Sequence, residues 1–448
     1  MLGSLLDLPS GTAVQWERTV LLLGPLLLAG ALVLWLRPTP REASAAMLAF
    51  LWQLPSLLAL NALAGAAVWW SFPHSDIAVL GLPVDVWIGW ALWWGPCAAL
   101  LEKRFGIVLT LVLAIAIDLV AMPWLELVGL SPGWHLGEAV FVLAGLLPGL
   151  LLARWTRLDR RPLSRTLIHA AGWGSYMLFA LPAVALTCEG RDLITAAHVP
   201  AGMLGLIGAA ALGLALLVGL TAAVEFARVG QGTPVPVDPP KRVVMTGPYA
   251  FVANPMQLTS AIVMALQALH YQSPGLVLVT AAFLLFDGVY AAHYNKVHIA
   301  RAMPREWSSY KESVADWRPR WSPYRPGRPI VIATTASEAA QTIGLGFALD
   351  GGIRVRLRRA QGFSRLVFSC AETGVREKGV AALSRILERR NLGWAIIGWC
   401  LRVPLVTAVL QGLTGLRIAL HRMLLLGSLA PSRGPSQAPA VQGSAAAS

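Results

Sequence analysis

Residues 105–129 read FGIVLTLVLAIAIDLVAMPWLELVG. The first thirteen of them carry no charge, and the whole stretch holds two carboxylates, Asp118 and Glu126. A helix of this length would run to about 37 Å at ~1.5 Å per residue, against a hydrocarbon layer of ~30 Å. That is the pattern of a membrane-crossing helix. The same pattern recurs on both sides of it. Residues 19–36, 45–70 and 77–101 precede it, and 136–153, 167–187 and 201–221 follow. Two shorter apolar segments, 256–271 and 275–294, are parted by Gln272-Ser273-Pro274-Gly275 and read as a helical hairpin. The fold expected is an all-α polytopic membrane protein of about nine transmembrane helices. A small cytoplasmic α/β domain follows them. The first apolar run is too long for a cleavable signal peptide and lacks a small-residue cleavage site.

Composition agrees. Of 448 residues, 56% are apolar and 13% are charged, where ~25% charged is usual for soluble chains. Mean hydropathy is +0.62. These values exclude an ordinary soluble enzyme, a disordered chain and a coiled coil. The four cysteines, Cys97, Cys188, Cys370 and Cys400, are too few for a disulfide scaffold and too scattered for a thiolate metal site.

The net charge of +13 could indicate nucleic acid. The basic residues, however, sit in short loops between apolar runs, as the positive-inside rule and anionic lipid headgroups require. Arg37 and Arg41, then Lys103 and Arg104, then Arg154, Arg157, Arg160, Arg161 and Arg165 mark alternate loops. The intervening loops, 71–76, 130–135 and 188–200, hold only Arg191. The amino terminus is therefore expected outside a cell inner or plasma membrane, with residues 222–255, 301–328 and the carboxy-terminal domain in the cytoplasm.

One stretch stands apart from the spans: VVMTGPYAFVANPMQ, residues 243–257. Gly247-Pro248 forces a turn. Asn254-Pro255 stands just before a helix. Pro255 at a first helical position leaves neighbouring amide donors free, which suits an anion or carboxylate, and Asn254 can serve as the N-cap. By residue type alone the stretch reads equally well as loop punctuation.

Its spacing resembles the carboxy-terminal signature of membrane methyltransferases that include isoprenylcysteine carboxyl methyltransferase and phospholipid N-methyltransferases. The matches are Thr246-Gly247-Pro248-Tyr249, Asn254-Pro255-Met256, the hairpin, Trp307-Ser308-Ser309-Tyr310 and Trp317-Arg318-Pro319-Arg320-Trp321. They cover residues 240–325. The resemblance implies S-adenosylmethionine as cofactor, held by Thr246, Gly247, Pro248, Tyr249, Asn254, Pro255 and Gln257. Three positions depart from the family. Ala253 stands for Arg, Gln257 for Tyr, and Asn295-Lys296 for an acidic pair.

Asp287, Tyr290 and Tyr294 recur at i, i+3 and i+7 and share one helix face. An ionisable residue inside a span is a site candidate. It can equally be a tyrosine-bonded carboxyl that ties helices together. Asp287, Tyr290 and Asn295 are the candidate catalytic positions. His293 and His298 read as structural or interfacial. Asp118 resembles Asp287 in placement, while Asp85 and Glu126 lie nearer span ends, where water reaches them. Trp87, Trp90, Trp93 and Trp94 read as an interfacial belt or, alternatively, as the lining of an apolar cavity.

Beyond residue 326 the pattern changes. Residues 330–335, 353–357 and 365–370 alternate like strands. Residues 337–349 and 376–390 read as helices, the second with Val380, Leu383, Ile386 and Leu387 on one face. Residues 391–430 are apolar but interrupted by Arg402, Pro404, Arg417, His421 and Arg422, as in a docked or interfacial helix pair. Residues 431–448 have a disordered composition. The order of elements resembles, weakly, small thioredoxin-like thiol–disulfide oxidoreductases. The D-x-x-C motif of that family is missing, and residues 334–340 contain no cysteine. A redox-inactive docking domain is expected.

The reading is then four segments. Residues 1–225 form a seven-span region, 226–326 the methyltransferase-like part, 327–430 the α/β domain and 431–448 a tail. The expected function is methyl transfer to an apolar or lipid-linked acceptor. The expected partners are membrane lipids, with neither nucleic acid nor metal. A transporter or lipid-binding protein that keeps the hairpin as scaffold is the first alternative. A sterol-reductase-like enzyme is the second.

Overall fold

The structure is a computed structural model. It describes residues 10–72, 77–197, 202–235, 238–325, 330–334, 354–357, 367–370, 375–403 and 405–413. The chain divides into two units, Met1–Gly327 and Arg328–Ser448.

The first unit is a helical bundle. Seven of its helices are long and apolar enough to cross a membrane: α1 Ser10–Leu36, α2 Pro40–Ala66, α3 Val84–Phe105, α4 Ile107–Trp124, α5 Trp134–Arg157, α6 Pro162–Cys188 and α7 Met203–Gly230. The hairpin follows as α8 Pro255–Tyr271 and α9 Pro274–Tyr294. Helix α8 has 17 residues, and the apolar part of α9 is Pro274–Tyr290, so neither is among the seven long spans. Several bounds differ from the apolar runs. Gly106, at φ +79, ends α3 and starts α4. The run expected to reach residue 70 stops at Ala66, because Trp70–Ser71 (β1) pairs antiparallel with Gly129–Leu130 (β4). A small hairpin of Ala78–Val79 (β2) and Leu82–Pro83 (β3) lies between them in sequence.

Helix α2 is central and packs on α3, α5 and α6. Two glycines set the closest approaches of α3. A Cβ on Gly89 would lie 1.9 Å from the Leu21 carbonyl oxygen, and one on Gly95 would lie 2.7 Å from Phe50 Cα. Where lipid surrounds both helices, small residues let backbones approach and gain dispersion contacts.

Five π-turns interrupt the long helices, at Trp93–Cys97, Val142–Leu146, Tyr176–Ala180, Phe226–Gly230 and Asn295–Ile299. Proline accounts for some of them. In α6, Leu181 donates to the Tyr176 carbonyl, and the next residue, Pro182, has no N–H to donate onward. Gln267 Nε2 of α8 supplies a bond to the Met177 carbonyl at 3.1 Å. In α5, the Gly145 carbonyl receives Trp52 Nε1 at 2.7 Å and Gln53 Nε2 at 3.3 Å, both from α2. Polar side chains thus satisfy backbone groups that the interrupted ladders release.

The loops meet at two ends. At one end Glu102 accepts Arg154 and Arg157, Glu42 pairs with Lys103, and Arg41, Asp159, Arg165, Asp238 and Lys241 form one ion network. At the other, Arg18 pairs with Asp85, and the backbone amides of Glu126 and Leu127 donate to Glu17. There too Glu189 Oε1 accepts Ser273 Oγ at 2.6 Å and the Gly275 amide at 2.8 Å. Those two bonds hold the Glu189 carboxyl below its usual range, with Ser273 the larger cause. Each pair named here joins loops that the Lys/Arg pattern assigns to one side.

The second unit holds a four-stranded sheet in the order β6-β5-β7-β8, from Ile330–Thr334 (β5), Arg354–Leu357 (β6), Val367–Cys370 (β7) and Arg376–Lys378 (β8). β5 runs parallel to β6 and antiparallel to β7, with Val331 opposite Arg354 and Ser369. The helix expected over 376–390 is shorter, α10 Val380–Leu387. Gly379, at φ +62, separates it from β8, which pairs with β7 through Phe368 and Glu377. Helix α11, Leu392–Leu401, packs on α10, with Ser384 Oγ donating to the Gly398 carbonyl at 2.7 Å. Cys370 is buried. The expected helix over 337–349, the cysteine-free junction at 334–340 beyond Thr334, and the tail 431–448 lie outside the described residues.

Candidate functional site

The stretch at 246–257 is built between the end of α7 and the start of α8. Gly247-Pro248-Tyr249-Ala250 forms one 3₁₀ turn. Gly247 is required twice over. Its φ is +61, and a Cβ there would come within 3.1 Å of Glu225 Cγ. Pro248 is the second residue of that turn, where a helix start leaves the N–H without an intrahelical acceptor and its absence costs nothing. Its carbonyl accepts the amides of Phe251 and Val252.

Glu225, the last α-helical residue before the π-turn of α7, is 1% exposed. Its Oε1 accepts the Thr246 hydroxyl. Tyr249 packs on Phe226, ring centroids 6.1 Å apart. The Tyr249 hydroxyl is buried and has no hydrogen-bond partner among the described residues. Burial, with smaller contributions from Tyr310 and Glu225, pushes that phenol well above its usual range.

The second half of the signature folds over the first. Helix Pro304–Ser313 and the chain to residue 325 lie along 249–254. Tyr310 Oη donates to the Tyr249 carbonyl at 2.7 Å. The Ala253 amide donates to Ala315, the Arg320 amide to Phe251 and the Tyr324 amide to Ala250, at 2.7–2.9 Å. Val243, Ala253, Ile299, Tyr310 and Val314 form the small core beneath, with Trp307 and Tyr324 packed against it. The matches at Tyr249, Asn254, Trp307 and Tyr310 therefore come together in space.

Asn254 is the N-cap residue of α8, its carbonyl accepting the Leu258 amide at 3.0 Å, but at φ −119 and ψ 62 its side chain makes no capping bond. Its Nδ2 donates to Asp316 Oδ1 at 3.3 Å, and its amide to the Asp316 carbonyl at 3.2 Å. Asp316 also pairs with Lys311. Pro255 does begin α8, as expected. Thr246, Gly247, Pro248, Tyr249, Asn254 and Pro255 are all buried, and Gln257 is half-buried.

Asp287, on α9, is 7% exposed and makes no hydrogen bond or ion pair among the described residues. Tyr290 is stacked on Phe286, centroids 5.2 Å apart and planes 5° off parallel. The side chains of Tyr294, Asn295 and Lys296 lie outside the described ones, while the Asn295 backbone opens the last π-turn. His293 and His298 are exposed.

The tryptophan run is not a simple lipid-facing belt. Trp94 is 5% exposed, and Trp87 Nε1 donates to the Leu54 carbonyl at 2.8 Å. Trp90 and Trp94 join Trp70 and Trp134 around a small cavity that also touches Asp118 and Glu138. Those two carboxyls come from α4 and α5. Asp85 is half-buried and paired with Arg18.

Sequence reading missed Glu225 and the ion network. A lone glutamate at the end of an apolar run carries no sign of its partner 21 residues on. Among the described residues no group of three or more His, Cys, Asp and Glu could hold a metal. Comparison with protein-family models, curated proteins and solved structures gives no match to the chain.

Proposed function

We propose that this chain is an integral membrane methyltransferase that uses S-adenosylmethionine and acts on an apolar or lipid-linked acceptor. Nine crossings place the amino terminus outside and residues 222–255 and 304–325 in the cytoplasm. The segregation of loop contacts into two ends supports that topology, including the hairpin, whose turn meets Glu189 rather than the opposite end.

The observation that carries the enzymatic reading is the convergence of both signature halves on Tyr249, whose turn is anchored through Thr246 to the buried Glu225. S-Adenosylmethionine offers ribose hydroxyls, an ammonium and a sulfonium. A buried carboxylate at Glu225 and an unbonded phenol at Tyr249 fit that donor and cation set. Thr246 orients the Glu225 carboxylate. The bonds from Tyr310, Arg320 and Tyr324 hold the loop rigid and keep water from it, which methyl transfer needs more than it needs acid–base chemistry. When bound, the cofactor supplies a methyl group already activated by its sulfonium. Asp287, buried on α9, is the candidate for the polar end of an acceptor, with Tyr290 one turn further along the same helix.

Equilibrium binding of S-adenosylhomocysteine to the purified full chain tests this. Binding is expected, and it should be lost in Tyr249→Ala and in Asn254→Ala. Calorimetry showing no heat with the wild type would overturn the reading. One observation favours the scaffold alternative: the backbone bonds to Ala315, Phe251 and Ala250 join the two halves directly. Under that alternative both variants lower the melting temperature and the wild type binds no cofactor.

A further inference from the structure

A cavity of about 660 Å³ opens between the start of α6 and the end of α7. Three cations line it, Arg161, Arg228 and Lys241, against one carboxylate, Asp159, a balance of 3 − 1 = +2. Asp159 is already engaged by Arg41 at 3.1 Å and by Arg165 and Lys241 at 3.3 Å. Arg161 has no carboxylate partner among the described residues, and its guanidinium lies over the Trp155 ring at 5.2 Å.

The floor of the cavity is a helix start. Arg161 stands before Pro162 in the left-handed region, at φ +52, and no side chain caps the helix. Pro162 has no N–H, and the first intrahelical bond runs from the Arg165 amide to the Arg161 carbonyl at 3.0 Å. The amides of Leu163 and Ser164 have no acceptor among the described residues, and both residues line the cavity. Free amides, the positive end of a helix and three cationic side chains converge on one space. Leu158 and Leu167, which flank this stretch in sequence, are exposed, 41% and 47%.

We propose that this cavity binds a phosphate group, either as a phospholipid headgroup or as a free phosphate. Several donors arriving from different directions suit the oxygens of a tetrahedral anion, and Arg and Lys are both suited to it. Neither Glu225, Thr246 nor Tyr249 lines this cavity, and the proposal holds whether or not the chain transfers methyl groups.

The test uses the delipidated full chain in neutral detergent. The probes are inorganic phosphate, dioctanoyl phosphatidic acid, and dioctanoylglycerol as the phosphate-free control. Native mass spectrometry counts bound probe, and melting shifts give affinity. One phosphate-bearing probe per chain is expected, weakened about tenfold by Arg161→Gln and by Lys241→Gln, the size of one lost charged hydrogen bond. Arg161→Lys should keep most of it. Cooperative melting of the unliganded variants shows that they remain folded. Phosphatidic acid binding without inorganic phosphate identifies a headgroup site, and equal binding of both identifies a free-anion site. Failure of both probes, affinity unchanged in both Gln variants, or equal binding of dioctanoylglycerol would overturn the proposal.

Discussion

Tyr310 donates its phenolic hydrogen to the carbonyl of Tyr249 across 61 residues of chain, at 2.7 Å and with Tyr310 only 1% exposed. This one bond ties the helix after the hairpin, Pro304–Ser313, to the turn before it. The turn, the hairpin and the helix therefore form one structural unit, although two apolar helices intervene.

Tyr310→Phe keeps the ring packing on Trp307 and Tyr324 and removes only the donor. The Tyr249 carbonyl is then buried without that partner, which costs about 1–3 kcal/mol. A lower melting temperature is expected, with no change in helix content. The same bond has a pH signature. Burial, with Asp316 and Tyr324 adding to it, raises the Tyr310 phenol above its usual value. Its contribution is present below the unfolded-state value of ~10 and is lost as pH rises beyond it. Alkaline unfolding of the wild type should therefore converge on that of Tyr310→Phe. A constant gap up to the alkaline limit would contradict the role given to the hydroxyl.

The opposite pH limb tests Asp159. Burial raises its carboxyl pKa, but the bond from Lys241 and the charges of Arg41, Lys241 and Arg165 outweigh that and hold it below the usual value. A depressed value stabilises the fold above the unfolded-state pKa of ~3.9, and the gain is lost as pH falls through the folded one. The side chain is 40% exposed, so solvent screening limits the effect to about 1 kcal/mol. Asp159→Asn should melt below the wild type near neutrality and match it in acid. Melting curves that keep the same separation at low pH would count against the ion network.

The existence of the long helices was legible because apolar runs of 18 residues or more have few other uses. Their ends were less so. Gly106 splits α3 from α4 through a backbone conformation, and the pairing of Trp70 with Leu130 takes the end of one run into a strand. Such pairings depend on partners far along the chain. The network that joins Arg41 to Asp238 across 197 residues is of that kind. The turn at 247–250 and the helix start at Pro255 were legible from Gly247-Pro248 and Asn254-Pro255. The role of Asn254 was not, since only the folded tail brings Asp316 within reach of its side chain.

Topology rests on charge asymmetry and on which loops meet. Cysteines placed at Arg160 and Ala196, in a background lacking the exposed Cys188 and Cys400, should react from opposite faces of sealed vesicles. Position 160 is expected on the cytoplasmic face. A third cysteine at Gln272 should label with Ala196, because Ser273 and Gly275 are bonded to Glu189. Labelling of 160 and 196 from one side would remove the alternating arrangement. Labelling of 272 with 160 would remove the hairpin crossings alone.

Glu225 separates the enzymatic reading from the scaffold one. Glu225→Gln preserves shape and can still accept from the Thr246 hydroxyl, so the loop keeps its anchor. What it loses is negative charge in a site that excludes water, where an ionic hydrogen bond contributes about 1.5–3 kcal/mol. If the carboxylate faces a cationic cofactor or its ribose hydroxyls, S-adenosylhomocysteine affinity should fall about tenfold or more while melting moves little. If Glu225 only braces Gly247 and Thr246, the neutral amide should leave any ligand affinity unchanged. Glu225→Ala is the companion variant. It removes the brace as well as the charge and leaves Thr246 without this acceptor, so under either reading it should lower stability by about 1–3 kcal/mol. The pattern that supports catalysis is weaker binding in Glu225→Gln at nearly wild-type stability. The pattern that defeats it is equal affinity in wild type and Glu225→Gln, with only Glu225→Ala impaired.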